Sequence, residues 1–474
     1  MSKTYDAVVI GSGPNGLAAA IALAQNQLNV KILEASSQIG GGTQTHELTL
    51  PGFKHDFCSG VHPLGKLSPY LKTLPLENYG LEWLYPSVSV AHPLDDGPAV
   101  LLSRSLQETS ESIGVDGKAW EQMFRPFVEQ GEQLLDDVLK PLSFPKHPFL
   151  FAKFGLKAMH SAKYLMEKHF KEDRAKALFA GCAAHSIVPL DFKFTSSFGI
   201  LLALSGHLTD WPVAKGGSTA ITQSMAAYFK TLGGEIQTNT LVKSLSQLPE
   251  AKAYIFDTDP KQFIQIADDA LPSSYKARLS RFKYGPGLFK IDWALDGAIP
   301  WKDQRCNNAA TVHLGGTHKE IALSEYQAWN NIHSEKPYVL VNQQSEIDPT
   351  RAPMGKHTGY AYCHVPHGST KDLTAVIENQ MERFAPGFKD LILKRYITNS
   401  KGFEQYNPNN VGGSISGGAN TMGQLFARPA LRWDPYTTPN KKLFICSAST
   451  PPGGGVHGMC GYWAAQSVLK KITF

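Results

Sequence analysis

Apolar positions recur with two periods along this 474-residue chain. From Tyr5 a short Val/Ile-rich run ends at Ile10 and predicts a buried strand, and the Ala/Leu spacing of residues 14–24 predicts a helix. Between them stand Gly11, Gly13 and Gly16 in G-x-G-x-x-G order, so a glycine-rich turn falls where a strand enters a helix. A second buried run, residues 30–33, ends on the carboxylate of Glu34. Residues 220–232 have helical period again and pass through Gly233-Gly234 into a strand pattern, and the run at residues 253–256 ends at Asp257. The chain closes on a strand pattern from residue 442, a loop carrying Gly453, Gly455 and Gly458, and a terminal helix. Two excursions interrupt this series. Residues 75–212 read as helical segments with proline breaks, among them 120–139 and 144–176. Residues 283–417 hold strand-like runs at 287–294 and 336–342, and one at 357–367 with Tyr360 and Tyr362 on one face.

The first turn carries specific chemistry. Gly11 permits the tight turn, Gly13 lets backbone approach a pyrophosphate, and Gly16 lets the helix pack close on the strand. Pro14 and Asn15 open the helix, whose free N–H groups face the anion, and Glu34 stands where a carboxylate accepts hydrogen bonds from a ribose. The stretch predicts a dinucleotide site. The second G-x-G-x-x-G is a different object, since no further strand follows Gly458 to complete a βαβ unit. It reads as a loop that presses backbone against a flat ring, with the N-terminus of the last helix aimed at it.

Composition narrows the reading. A net charge of +5 without Lys/Arg runs excludes a polyanion-binding surface as the main feature. Six cysteines without any C-x-x-C pair predict neither a zinc site nor a disulfide framework, and reduced thiols in a cytoplasmic protein are expected. The first strand starts near residue 5, so no secretory leader is expected. The most apolar run, residues 198–205, falls far short of the roughly 20 residues that span a bilayer. His357, His364 and His367 lie close together, but alternation divides them between two faces and no acid stands in register, so no metal site is expected.

The residues after Glu34, from Ala35 through Gly40-Gly41-Gly42-Thr43, resemble FAD-dependent oxidoreductases of the phytoene desaturase and amine oxidase type. In that family a Gly-Gly pair follows the acid and lies against the FAD pyrophosphate. Most members then carry an arginine where this chain has Gly42, so phosphate binding here falls to backbone amides and helix dipole. The closing run from Ser449 through Gly453, Gly454, Gly455, Val456 and His457 is similar to the phytoene dehydrogenase-related group, and the order of elements fits it throughout.

The resemblance implies an α/β fold: a Rossmann-like FAD-binding domain of the glutathione reductase type from residues 1–74, 213–282 and 418–474, and a discontinuous α+β substrate domain from 75–212 and 283–417. It implies FAD, with Ser59, Gly60, Val61 and His62 near the ring, Val242 meeting the adenine, and Ser449, Gly455, Val456 and His457 at the closing loop. The implied activity is hydride transfer between flavin N5 and a hydrophobic, isoprenoid- or carotenoid-like substrate, by desaturation, saturation or isomerisation. His62, His457 and His185 are the candidate catalytic side chains. Amine oxidation, and FAD or lipid binding without turnover, remain open alternatives. The lysine-interleaved stretch 149–159 reads either as a cap helix with a solvated face or as a patch for peripheral membrane contact.

Overall fold

The computed structural model describes residues 4–473. Two sheets organise it. The first has five parallel strands in the order Leu443–Ile445, Ala251–Phe256, Tyr5–Ile10, Val30–Leu33, Glu235–Gln237. The central pair, Tyr5–Ile10 and Ala251–Phe256, is covered on both faces, which explains why these strands read as continuous apolar runs rather than alternating ones.

The helix Pro14–Ala24 leaves the first strand through Gly11, whose φ of +102° only glycine adopts without strain. Proline at its first turn fits because that N–H has no intrahelical partner. Its Ala-rich body admits the last helix, Met459–Lys471, at very short range. A Cβ on Gly461 would lie 1.8 Å from the Asn15 carbonyl oxygen, so the first and last helices are held together by the absence of a side chain.

The second sheet has seven strands in the order Ile392–Thr398, Gly287–Leu295, His357–Val365, Val339–Asn342, Ala309–Leu314, Val88–His92, Val100–Leu102. All pairs are antiparallel except Ala309–Leu314 beside Val88–His92. Here the period of two sorts the side chains. Phe289, Ile291, Val312, Val341, Ala361 and Cys363 face a core closed by the helix Thr374–Phe384. Leu288, Lys290, Leu340, Tyr360, Tyr362 and His364 face the opposite way, into the cavity described below. Tyr360 and Tyr362 share a face as expected, their rings 6.4 Å apart.

Helices from the first excursion roof this sheet, chiefly Gly117–Val128, Asp173–Ala184 and Thr195–Thr209. Two expected segments are subdivided. Residues 120–139 break between Val128 and Gly131, and 144–176 hold the helices Pro148–Ala158 and Ala162–His169 and the start of a third. Ser161 marks one boundary, its hydroxyl accepting the Tyr164 N–H. Periodicity alone runs through such caps. Among the described residues, no helix is long and apolar enough to cross a membrane.

Candidate functional site

The glycine-rich turn, the Gly40–Gly42 loop and the closing loop meet around one cavity of about 1980 Å³ between the two sheets. Every residue expected at the cofactor lines it except Gly16. Gly16 lies one layer behind, where a Cβ would stand 2.2 Å from the Gly11 carbonyl oxygen. Gly41, at φ +54°, presses against Gly13, and a Cβ there would come within 3.1 Å of the Gly13 Cα. Backbone thus surrounds a slot that side chains would fill. Glu34 accepts from the Ser12 amide at 2.9 Å and from the Ser12 hydroxyl at 2.5 Å through one oxygen, and from the Ser36 amide at 2.8 Å through the other. These contacts fix the carboxylate at the end of its strand.

Sequence reasoning passed over Asp257, which ends the neighbouring strand. Its carboxylate accepts the Gly16 N–H at 2.9 Å and lies 2.8 Å from where a Cβ of Gly13 would be. Burial pushes its pKa up to about 7, the Gly16 amide opposes this, and Glu34 adds to it. An acid therefore shares the helix N-terminus with the anion site.

Around Ser59, Gly60 and Val61 the wall is denser. The Ser59 hydroxyl meets His62 Nδ1 at 3.2 Å, while His62 Nε2 is buried without a partner. Burial holds His62 neutral, with a pKa of about 4. Opposite Gly60 stands the Tyr360 hydroxyl, 2.8 Å from the position of an added Cβ.

Lys290 was also missed. It is buried on the cavity face of its strand, its ammonium 4.3 Å above the Tyr360 ring, donating to the Asp56 carbonyl at 3.1 Å and to the Asp292 carboxylate. Asp292 is raised to about 6 by burial, against the pull of Lys290. Arg351 pairs with Asp56 in the same fully buried cluster. The sequence did carry a signal: Lys290 and Asp292 are charged residues at alternate positions of an otherwise apolar strand.

At the closing loop, Gly455 has φ +130° and Val456 lines the cavity. The Ser447 and Ser449 hydroxyls are 2.6 Å apart. His457 is buried with its pKa lowered by burial to about 4, and its Nδ1 accepts the Met459 N–H at 3.0 Å. That bond caps the last helix and takes the lone pair a proton relay would need. Beside this loop lies Arg428, another residue the sequence did not single out. Its guanidinium is fully buried, donates to the Gly417 carbonyl at 2.7 Å, leaves Nε without a partner and has no carboxylate partner among the described residues.

His185 lies apart from these groups, in the helical roof, its Nε2 3.2 Å from His313 Nε2. Two of the histidines of 357–367 have acidic partners that strand register does not show. His364 Nδ1 meets both Glu325 oxygens at 2.8 Å, and His357 Nδ1 meets Glu346 at 2.8 Å. Both acids come from helices outside that strand, so register could not reveal them.

The mouth of the cavity is apolar. Leu142, Phe144, Leu431 and Trp433 line it and are exposed, Trp433 fully so. In the adjacent helix Pro148–Ala158, Leu150, Phe154 and Ala158 face inward while Phe149 and Leu156 remain exposed.

The site fits a dinucleotide with a flat ring. The slot between Gly13 and Gly41, the orphaned polar atoms Asn15 Oδ1, His62 Nε2 and Arg428 Nε, and the continuity of the cavity from Glu34 to Gly60 all leave functions for such a group to fill.

Comparison with known proteins agrees. Residues 9–74 match the NAD(P)-binding Rossmann-like domain family. Over its whole length the chain is 27% identical to the Mus musculus protein called pyridine nucleotide-disulfide oxidoreductase domain-containing protein 2, covering 94% of it. It is 23% identical to the lycopene-forming phytoene desaturase of Pseudescherichia vulneris, with 99% of each chain covered. A solved structure of putrescine oxidase bound to putrescine superposes with a TM-score of 0.64 at 17% identity, covering 99% of this chain and all of that one. The fold is the mixed α/β architecture expected, a Rossmann-like unit beside a separate sheet.

Proposed function

We propose that this chain, an oxidoreductase of the phytoene desaturase and amine oxidase superfamily, binds FAD and acts on a hydrophobic molecule held over the seven-stranded sheet. The observation that carries the reading is the single cavity that runs from the backbone-walled slot at Gly13 and Gly41, past Gly60, to an apolar mouth. FAD, when bound, supplies two-electron chemistry at its ring.

The chain's residues supply binding and charge. In this reading residues 1–74, 213–282 and 418–474 form the cofactor unit, and 75–212 with 283–417 the substrate unit. Amides of the first turn and the helix dipole take the pyrophosphate, Glu34 takes a ribose, and Val242 packs on the adenine. The Arg428 guanidinium supplies the positive charge that Gly42 does not. Lys290 keeps an ammonium fixed at the wall beside Gly60, held by Asp292 and the Asp56 carbonyl. His62, neutral at pH 7 and held by Ser59, has Nε2 without a protein partner and open to proton exchange with a ligand. His457 is a positioning residue, since its Nδ1 is engaged by the last helix.

The exposed apolar rim of Leu142, Phe144, Phe149 and Trp433, with lysines 146 and 153 near it in sequence, offers an apolar substrate a route in from a membrane surface. Desaturation, saturation and isomerisation of an isoprenoid-like molecule all suit such a site.

The test is the visible spectrum of the purified protein, with mass identification of the chromophore released on denaturation. FAD is expected, and anaerobic addition of apolar alkenes should bleach its band. Arg428→Met should fold and lower flavin affinity about tenfold, the scale of one lost charge-assisted contact. A protein that is colourless and takes up no added FAD overturns the reading, and bleaching by amines alone moves it to amine oxidation.

A further inference from the structure

We propose that Glu325, His364 and His185 form an anchoring subsite for an sp² oxygen, a carbonyl or carboxylate, carried by an otherwise apolar ligand. The proposal deepens the preceding one and rests on its reading of this cavity as the substrate's.

Proton placement at His185 follows from its neighbour. His185 Nε2 and His313 Nε2 are 3.2 Å apart, so one donates to the other. His313 is fully buried and its Nδ1 has no hydrogen-bond partner. A Cβ added to Gly181 would lie 2.5 Å from that Nδ1, so a Gly181 Cα–H points at it. A lone pair suits that contact and an N–H does not. His313 therefore carries its proton on Nε2 and donates it, which leaves the His185 proton on Nδ1. That nitrogen has no protein partner, and His185 lines the cavity.

His364 gives the same result by a charge argument. Its Nδ1 contacts both Glu325 oxygens at 2.8 Å, each side chain is 1% exposed, and the carboxylate has no other hydrogen bond. A neutral imidazole with its proton on Nδ1 would leave an uncompensated buried anion. The pair that is neutral overall keeps a proton on His364 Nε2, the nitrogen without a protein partner on a residue that lines the cavity. Two N–H donors thus open on one cavity, and the Tyr338 ring joins their surroundings, 5.5 Å from the ring of His313 and 6.4 Å from that of His364.

Their place sets the geometry of the ligand. Tyr360, Tyr362 and His364 alternate along one strand face, with ring separations of 6.4 Å and 6.0 Å. Tyr360 stands at Gly60, so His364 lies four residues away, about 13 Å along the strand. A ligand anchored at His364 would present the carbon segment about that far from its oxygen to the wall beside Gly60. His364 and His185 touch the ligand, and Glu325 positions His364.

The test is a tryptophan-fluorescence titration of the purified chain with octanoate, 2-octanone and octane, reported in part by Trp211, whose ring is 5.7 Å from that of His185. Wild type should bind an oxygenated probe at least about tenfold more tightly than octane, the scale of buried hydrogen bonds to one oxygen. The octanoate and 2-octanone arms tell which oxygen group the subsite prefers. His364→Phe should bring the preferred probe to within about threefold of octane while octane affinity stays unchanged, and Glu325→Gln, whose amide still donates to His364 Nδ1 and so keeps the proton on Nε2, should retain the preference.

Equal wild-type affinity for all three probes overturns the subsite, whatever the variants do, and so does a folded variant that loses all three equally. Flavin content of the same preparations separates the two proposals. Preference without flavin supports the subsite and counts against the redox reading, and flavin without preference does the reverse.

Discussion

At the Glu34 end the cavity wall is mostly backbone, set by glycines between residues 11 and 42. At the His364 end it includes the side chains of His185 and His364, held from behind by His313 and Glu325. The first arrangement tolerates no added atoms. The second tolerates shape changes, provided each buried polar atom keeps its partner. One end is specified by what is missing and the other by what is paired, so substitutions should act on stability at the first and on recognition at the second.

The largest expected effect sharpens that contrast. Gly16→Ala puts a Cβ 2.2 Å from the Gly11 carbonyl and 3.0 Å from the Asp257 carboxylate, both fixed by the turn. The variant should lose about 3 kcal/mol or more in urea unfolding and its capacity for FAD with it. At the other end Glu325→Gln changes no volume. A Gly16→Ala protein of wild-type stability would break the comparison.

What was legible in the chain follows the same division. The turn, Glu34 and the closing loop were readable because strand, glycines and helix are neighbours in sequence and each glycine answers a local steric demand. Lys290 and Asp292 were half legible, as charges inside an apolar strand, but Asp56, whose carbonyl Lys290 meets, comes from more than 200 positions away, and Arg351, which pairs with Asp56, from more than 50. Glu325 and His364 were not legible as a pair. The acid lies on the buried side of the helix His318–Trp329 and the histidine in a strand that begins 28 residues after that helix ends, and only packing of helix on sheet joins them. Strand alternation did place Tyr360 and Tyr362 on one face, which His364 shares in the structure, so the cavity floor was written locally even where its chemistry was not.

A middle-sized effect is expected at Asp257, where a side chain enters the backbone-walled end. Its carboxyl titrates near pH 7 in the fold and near 4 in the unfolded chain. Between those values the folded state binds more protons, so its contribution to stability is complete below pH 4 and lost as pH rises through 7. Asp257→Asn removes that loss. It should raise stability by on the order of 1–2 kcal/mol at pH 8 and little at pH 4, measured as the difference in Tm between the two pH values. A pyrophosphate beside the same helix N-terminus adds negative charge, so FAD affinity of wild type should weaken above pH 7 while that of the variant stays level. An Asn variant with wild-type pH dependence would mean that Asp257 does not titrate in this range.

The smallest effect is expected at His457, which stands between the two kinds of construction: a side chain used as a backbone partner. Its Nδ1 accepts the Met459 N–H at 3.0 Å, one of the amides that the first turn of the last helix cannot satisfy for itself, and the Ser68 hydroxyl donates to its carbonyl at 2.6 Å. His457→Ala removes the first contact and keeps the second. Loss of such a cap costs about 1 kcal/mol, measurable as a shift in the urea midpoint with an unchanged slope. Because burial holds the imidazole neutral with a pKa of about 4, the variant should retain FAD and show the wild-type pH profile of flavin reduction from pH 6 to 8. Slower flavin reduction at every pH with FAD retained would assign proton transfer to His457 and remove that role from His62. An unchanged profile leaves His62, whose Nε2 has no partner, as the imidazole at the wall beside Gly60 that is free to move a proton.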